Sequence, residues 1–330
     1  MAHLVALEFT GLYAVPEDGE YRVVGFSPAG DRAHVSRPMS AEQYQRFCAD
    51  RILLDGLLAI EEAYDVAMGN YLELEETVLR LSANEMAQRR PHGRSDHFDT
   101  ARRSCHRALA NLLSAAKAFQ DQSQRLASSI SGGAGSDDLS SLRKSLSRAY
   151  DASLGYRFMD ALRNHAQHHG VSVSGVSLTR AVADVSDQGT EQFVTATPYL
   201  RLGDLRDNDK FKPSVLAEIT AIAQPGARVG ELIIPVVPLV RQYLSGLSSV
   251  MVDWRQFYSG REKMALDLIY AAYYHYTGFF TRDYPVALIV APVADLGTVT
   301  HFGTEPHFKA RSLREVNGEL SLLPLTGVRQ

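Results

Sequence analysis

The stretch that decides the fold is DDLSSLRKSLSRAYDASLGYRFMDALRNHAQHHG, residues 137–170. Its apolar residues Leu142, Leu146, Tyr150, Leu154, Phe158, Met159 and Leu162 recur at spacings of three and four, the period of one helix face. Asp137 or Asp138 supplies an N-cap and Gly170 the glycine expected just past a helix end. The spacing therefore predicts one amphipathic helix, and its polar end gathers an arginine, an amide and several imidazoles in Arg163-Asn164-His165-Ala166-Gln167-His168-His169.

The same period extends upstream. Ser40 opens a helix with Gln43 as capping-box partner. Leu53, Leu57, Ile60, Tyr64, Met68, Tyr71 and Leu72 share a face, and a further helix is expected to end near Arg89, before the break at Arg90-Pro91-His92-Gly93. Asp96 or Asp99 is a candidate cap for the next helix, with Cys105, Leu109, Leu112, Leu113, Ala116 and Phe119 on its stripe. The glycine-rich joint at residues 131–137 follows, without the Lys-Ser/Thr of a phosphate loop. Long helices joined by short connections pack antiparallel, so residues 39–170 read as an up-and-down helical bundle.

The flanks differ. Residues 1–38 read as a small β unit, with strand-like runs at residues 4–9, 21–26 and 33–35. Residues 171–330 read as a mixed α/β region. Strands are expected over residues 171–185, 192–202, 285–291, 298–302 and 319–323. Helices are expected over 212–223, over 231–258 (kinked at Pro235 and Pro238, or split in two) and over 262–276. The terminal strands are candidates to close on the N-terminal β unit. The expected class is mainly α: a helical bundle with a small N-terminal β unit and a mixed α+β C-terminal region.

Composition narrows the function classes. The chain has 330 residues, 45% hydrophobic and 22% charged, with a formal net charge of −4. That charge argues against a surface coated for bulk nucleic-acid binding and leaves room for a local basic track. The two cysteines, Cys48 and Cys105, read as free thiols in a reducing compartment. There is no CxxC pair, Walker A loop or GxSxG elbow. The short segment with His301, Glu305 and His307 is not read as a metal site, so neither metal nor cofactor is expected. Residues 1–4 lack the basic start of a secretion signal, and the apolar run 233–240 is too short to span a bilayer. The expectation is a soluble, cytoplasmic protein without a membrane partner.

Arginine clamps phosphate bidentately, and histidine moves protons near neutral pH. Arg163 is suited to hold a scissile phosphate, and His168 or His169 to act as acid or base. A helix C-terminus favours imidazolium by roughly 0.3–1 kcal/mol, which biases the histidine toward the acid role. His168 is favoured, being one turn from Asn164. Arg89, Arg90, Arg94, Arg102 and Arg103 form the most basic segment and a weaker candidate RNA track. Its competing reading is a solvated face paired with Asp96, Asp99 and Glu85. Tyr270, Tyr273, Tyr274 and Tyr276 read as a core or dimer face ahead of a base-stacking one.

The run 162–170 resembles the active-site motif of HEPN-domain proteins, in which an arginine followed by a polar residue precedes a histidine by four to six positions. The resemblance covers the motif closely, the helical region 40–170 loosely, and residues 171–330 not at all. It implies a homodimer whose two motifs form one metal-independent ribonuclease site, in a bacterial toxin–antitoxin or phage-defence setting. Arg163 then takes the place of the family arginine, Asn164 of its polar neighbour, and His168 or His169 of the histidine. The implied partners are RNA, a second copy, and an antitoxin or regulatory protein. The alternative is a HEPN-like helical scaffold or sensor that binds a partner protein or nucleotide without catalysis.

Overall fold

A computed structural model describes residues 19–26, 32–87, 94–130, 137–169, 173–184, 190–207, 211–277, 282–295 and 298–320. The fold is mainly α, with eight helices and two small antiparallel sheets among the described residues. In chain order the elements are β1 (Tyr21–Phe26), β2 (Arg32–Met39), α1 (Ala41–Met86), α2 (Arg94–Ile130), α3 (Asp137–Ala152), α4 (Leu154–His169), β3 (Gly175–Asp184), β4 (Thr190–Arg201), α5 (Leu202–Arg206), α6 (Pro213–Ile222), β5 (Gln224–Pro225), β6 (Leu232–Pro235), α7 (Val236–Thr277), β7 (Ala287–Pro292), β8 (Thr300–Gly303) and α8 (Glu305–Val316). The chain divides into two compact units, one of Met1–Glu62, Leu126–Ser136 and Trp254–Gly318, the other of Ala63–Arg125, Asp137–Asp253 and Glu319–Gln330.

In the first unit, the expected closure of terminal strands on the N-terminal ones is present. The sheet order is β2-β1-β7-β8, with Tyr21 opposite both Met39 and Pro292. Helix α1 starts through a complete capping box: the Ser40 amide donates to Gln43 Oε1 at 3.0 Å, and the Gln43 amide to Ser40 Oγ at 3.2 Å. One turn on, Tyr44 stacks on Tyr21 at 3.8 Å and meets the edge of buried Phe302 at 5.5 Å, which fastens the helix to the sheet.

The second unit holds the other sheet, of order β3-β4-β6-β5, and a core including Tyr64, Leu74, Leu109, Leu112, Phe119, Phe158 and Met159. The expected stripe on α1 is buried from Leu53 to Tyr71, but Leu72 is exposed, and Leu74 and Val78 are buried instead. A 3.6-residue period carries position 72 past the edge of that face. Every residue of the Cys105–Phe119 stripe is buried.

Several expected boundaries are corrected. One helix, α1, spans 41–86 with no break after Leu72. Helix α2 already runs at Arg94, upstream of both expected caps, so Asp96 and Asp99 lie within it. The single helix expected over 137–170 is two, parted at Ser153, whose hydroxyl caps the Tyr156 amide at 3.2 Å. The helix expected from Glu231 begins as strand β6, and α7 runs unbroken from Val236 to Thr277. Pro238 sits in the first turn of α7, where its missing N–H has no helical acceptor to lose. The strand expected over residues 171–185 starts at Gly175. Residues 319–320 are not strand, and the rest of that expected strand lies outside the described residues, as do the run 4–9, the joint 131–136 and Gly170.

Candidate functional site

Helix α4 is held by its beginning and by one face. The Gly155 amide donates to Gln242 Oε1 at 3.0 Å. A Cβ at Gly155 would stand 2.5 Å from the Gln242 Cβ, so only glycine permits this approach to α7. Arg157 donates to the carbonyls of Tyr150 and Asp151 at 3.2 and 2.6 Å, satisfying the last turn of α3, and pairs with Glu218 of α6 at 2.6 Å. Tyr156, Phe158, Met159, Ala161 and Leu162 are buried. The helix is thereby fixed through Leu162, one residue before the motif.

The motif residues then part by helical angle. Arg163 is half-buried and Asn164 exposed. His165 is buried, its ring edge-on to Phe211 at 6.1 Å, which makes it a packing residue. Arg163 Nη1 donates to Asn164 Oδ1 at 3.4 Å. Among the described residues no carboxylate pairs with Arg163. Its neighbours in the same unit are engaged: Arg157 with Glu218, and Arg241 with Glu75 through two bonds of 2.7 and 2.8 Å. Backbone helix continues through His168 and His169. Helical periodicity sets His168 one turn beyond exposed Asn164 and His169 one turn beyond buried His165. The side chains of Gln167, His168 and His169 lie outside the described residues.

The surroundings restrict the chemistry. Tyr243 is buried, meets Tyr156 edge-to-face at 4.9 Å, and accepts from Gln120 Nε2 at 3.0 Å. Burial first, then Tyr156 and Asp160, push the Tyr243 phenol well above its ordinary value, against the opposing charge of Arg163. Burial and Asp160 likewise raise Tyr156. Both phenols stay protonated near neutral pH, so neither serves as a base there.

The basic segment is only partly placed. Arg89 and Arg90 lie outside the described residues, as does the side chain of Arg94. Arg102 and Arg103 both pair with Asp99, at 3.3 and 2.8 Å, within one turn of α2. These exposed local pairs fit a solvated face. Arg102 also lines a cleft of about 970 Å³ with Tyr199 and Arg201. That cleft was not legible in the sequence, because its walls come from α2 and strands more than seventy residues downstream.

Other candidates are absorbed by packing. His307 Nδ1 lies 2.9 Å from Glu262 Oε1, while Glu305 pairs with Lys309 at 2.9 Å. Among the described residues no group of three or more His, Cys, Asp or Glu is arranged to hold a metal ion. Tyr270 and Tyr276 are buried, whereas Tyr274 is exposed. Cys105 is buried, and that burial lifts its thiol to about 11. No helix among the described residues is long and apolar enough to cross a membrane.

No protein-family model, curated protein or solved structure matches the chain.

Proposed function

We propose that the protein is a metal-independent endoribonuclease of HEPN type, acting as a homodimer and restrained by an antitoxin or regulatory protein in a bacterial toxin or phage-defence setting. The observation that carries this reading is the state of Arg163. Its guanidinium has no carboxylate partner among the described residues, binds only the neutral Asn164 amide there, and sits beside an exposed residue on a well-anchored helix. An arginine already held by a buried carboxylate would favour a structural role; this one retains donors for a phosphate.

In the proposed reaction Arg163 holds the scissile phosphate and offsets the charge developing on it. His168, or His169, protonates the leaving 5′-oxygen, and the second copy's histidine removes the proton of the 2′-hydroxyl. The 2′-oxygen bonds to phosphorus as the P–O5′ bond breaks, leaving a 2′,3′-cyclic phosphate and a 5′-hydroxyl.

The experiment is cleavage of total RNA by purified full-length protein in EDTA, beside Arg163→Ala and a His168→Ala/His169→Ala double variant. The proposal expects cleavage by wild type alone. Equal activity in all three, or none from folded wild-type protein with or without its candidate partners, would refute it. A non-catalytic scaffold is the second reading, favoured by the buried packing of His165 against Phe211.

A further inference from the structure

The cleft bounded by the start of α2 and one face of the β3-β4-β6-β5 sheet carries an inference of its own. The ladder registers put Gly175 opposite Tyr199, Ser177 opposite Thr197, and Arg201 opposite Ile233, which is in turn opposite Gln224. Alternation places Ser177, Thr179, Thr195, Thr197, Tyr199 and Arg201 on one face and buried Val176, Ala196, Leu200 and Ile234 on the other. The exposed face is therefore rich in hydroxyls. Tyr199 lies across Gly175: a Cβ there would stand 2.5 Å from the Tyr199 Cζ, so the glycine lets the ring lie low on the sheet. Phe98, 43% exposed, stands on the α2 wall of the same cleft.

The hydrogen-bonding inventory is lopsided. Arg201 gives Nε to Glu231 at 2.8 Å, and Arg102 gives Nε to Asp99 at 3.3 Å. No acceptor among the described residues takes up the terminal nitrogens of either guanidinium. The nearby carboxylates are occupied: Asp99 also takes Arg103, and Glu231 also takes the Arg228 amide at 3.4 Å. Both guanidiniums thus keep terminal donors that no carboxylate among the described residues takes up, which suits an anion. Two aromatic rings among the lining add a platform for a planar ring. The volume of about 970 Å³ admits a mononucleotide.

We infer that this cleft binds a nucleotide, its phosphate held by Arg102 and Arg201 and its base stacked on Tyr199 or Phe98. The shared chemistry has two sources, a free mononucleotide or one unit of a single-stranded RNA. The site excludes Arg163, so recognition here goes beyond RNA cleavage and does not require it.

Isothermal titration tests this on full-length protein with the four ribonucleoside 5′-monophosphates, a single-stranded RNA hexamer, inorganic phosphate and adenosine. At least one mononucleotide, or the hexamer, is expected to bind. Arg102→Gln and Arg201→Lys should each weaken it about tenfold or more, with Tyr199→Val also weaker. Arg201→Lys keeps a cation beside Glu231, which guards against simple misfolding. Binding of mononucleotide assigns the site to free nucleotide; binding of the hexamer alone assigns it to an RNA strand. Three outcomes overturn the inference: no binding of either by folded protein, binding indifferent to the cleft variants, or phosphate or adenosine binding as tightly as the nucleotide. Any of these leaves the cleavage experiment on Arg163 standing.

Discussion

Arg255 of α7 grips Glu61 of α1 through two parallel hydrogen bonds, Nε to Oε1 at 3.0 Å and Nη2 to Oε2 at 2.7 Å. Arg314 of α8 adds a third bond to Oε1 at 2.6 Å and reaches on to Glu262 at 2.9 Å. Glu61 is almost fully buried, so the three hydrogen bonds replace the water its carboxylate has lost. Glu61→Ala should lower unfolding free energy by about 3 kcal/mol, since it leaves two largely buried guanidiniums short of a partner. Chemical denaturation checks this; a loss near zero would mean the network is loose in solution.

Acid should release part of the same network. Burial raises the Glu262 carboxyl, but hydrogen bonds from His307 and Arg314 outweigh it and hold the group below its ordinary value of 4.5. A depressed acid contributes stability above its unfolded pKa and loses it as pH falls through the folded one. The melting temperature of wild type should therefore drop below about pH 4.5 more steeply than that of Glu262→Gln. Parallel profiles would contradict this.

Asp50 behaves in the opposite sense. It is buried with Arg46 at 3.4 Å as its ion-pair partner, and desolvation raises its carboxyl despite that cation. A raised acid destabilises the fold where it is ionised, above its ordinary value of 3.8. Asp50→Asn should raise the melting temperature at pH 7, with the gain fading toward pH 3. A lower melting temperature at pH 7 would show the Arg46 pair to be net stabilising.

Gly155→Ala should destabilise by about 1–3 kcal/mol, because the new Cβ would collide with the Leu239 carbonyl and crowd Gln242. If α4 positions Arg163 as proposed, RNA cleavage should fall with it. Cleavage at the wild-type rate by a variant destabilised to this extent would show that the α4–α7 contact does not position the site.

Thiol titration reports on α2. Cys105 is buried and its thiol raised to about 11, so a thiol reagent at pH 8 should find at most one reactive cysteine per chain, Cys48, and two after denaturation. Two reactive thiols in native protein would indicate that α2 opens.

Much of the architecture was readable because it rests on local rules. The Ser40–Gln43 box, the Cys105–Phe119 stripe and the alternation in β3 and β4 each depend on neighbours within a few residues. Breaks were less legible. Ser153 reads as an ordinary small residue within a helical stripe, and the contact of Gly155 with Gln242 at the start of α4 joins residues 87 apart in sequence. Likewise β6 looked helical because Leu232–Ile234 is a short apolar run, which periodicity alone cannot assign. The motif 163–169 was visible as residue types. That Arg163 has no carboxylate partner among the described residues, and that His165 is spent on Phe211, needed the fold.

The most direct test of the proposed chemistry is the identity of the RNA ends left by wild-type protein in EDTA. Phosphodiester cleavage through the 2′-hydroxyl predicts 2′,3′-cyclic phosphate and 5′-hydroxyl termini, absent with Arg163→Ala. Ends bearing 5′-phosphate and 3′-hydroxyl, or identical products from Arg163→Ala, would contradict it.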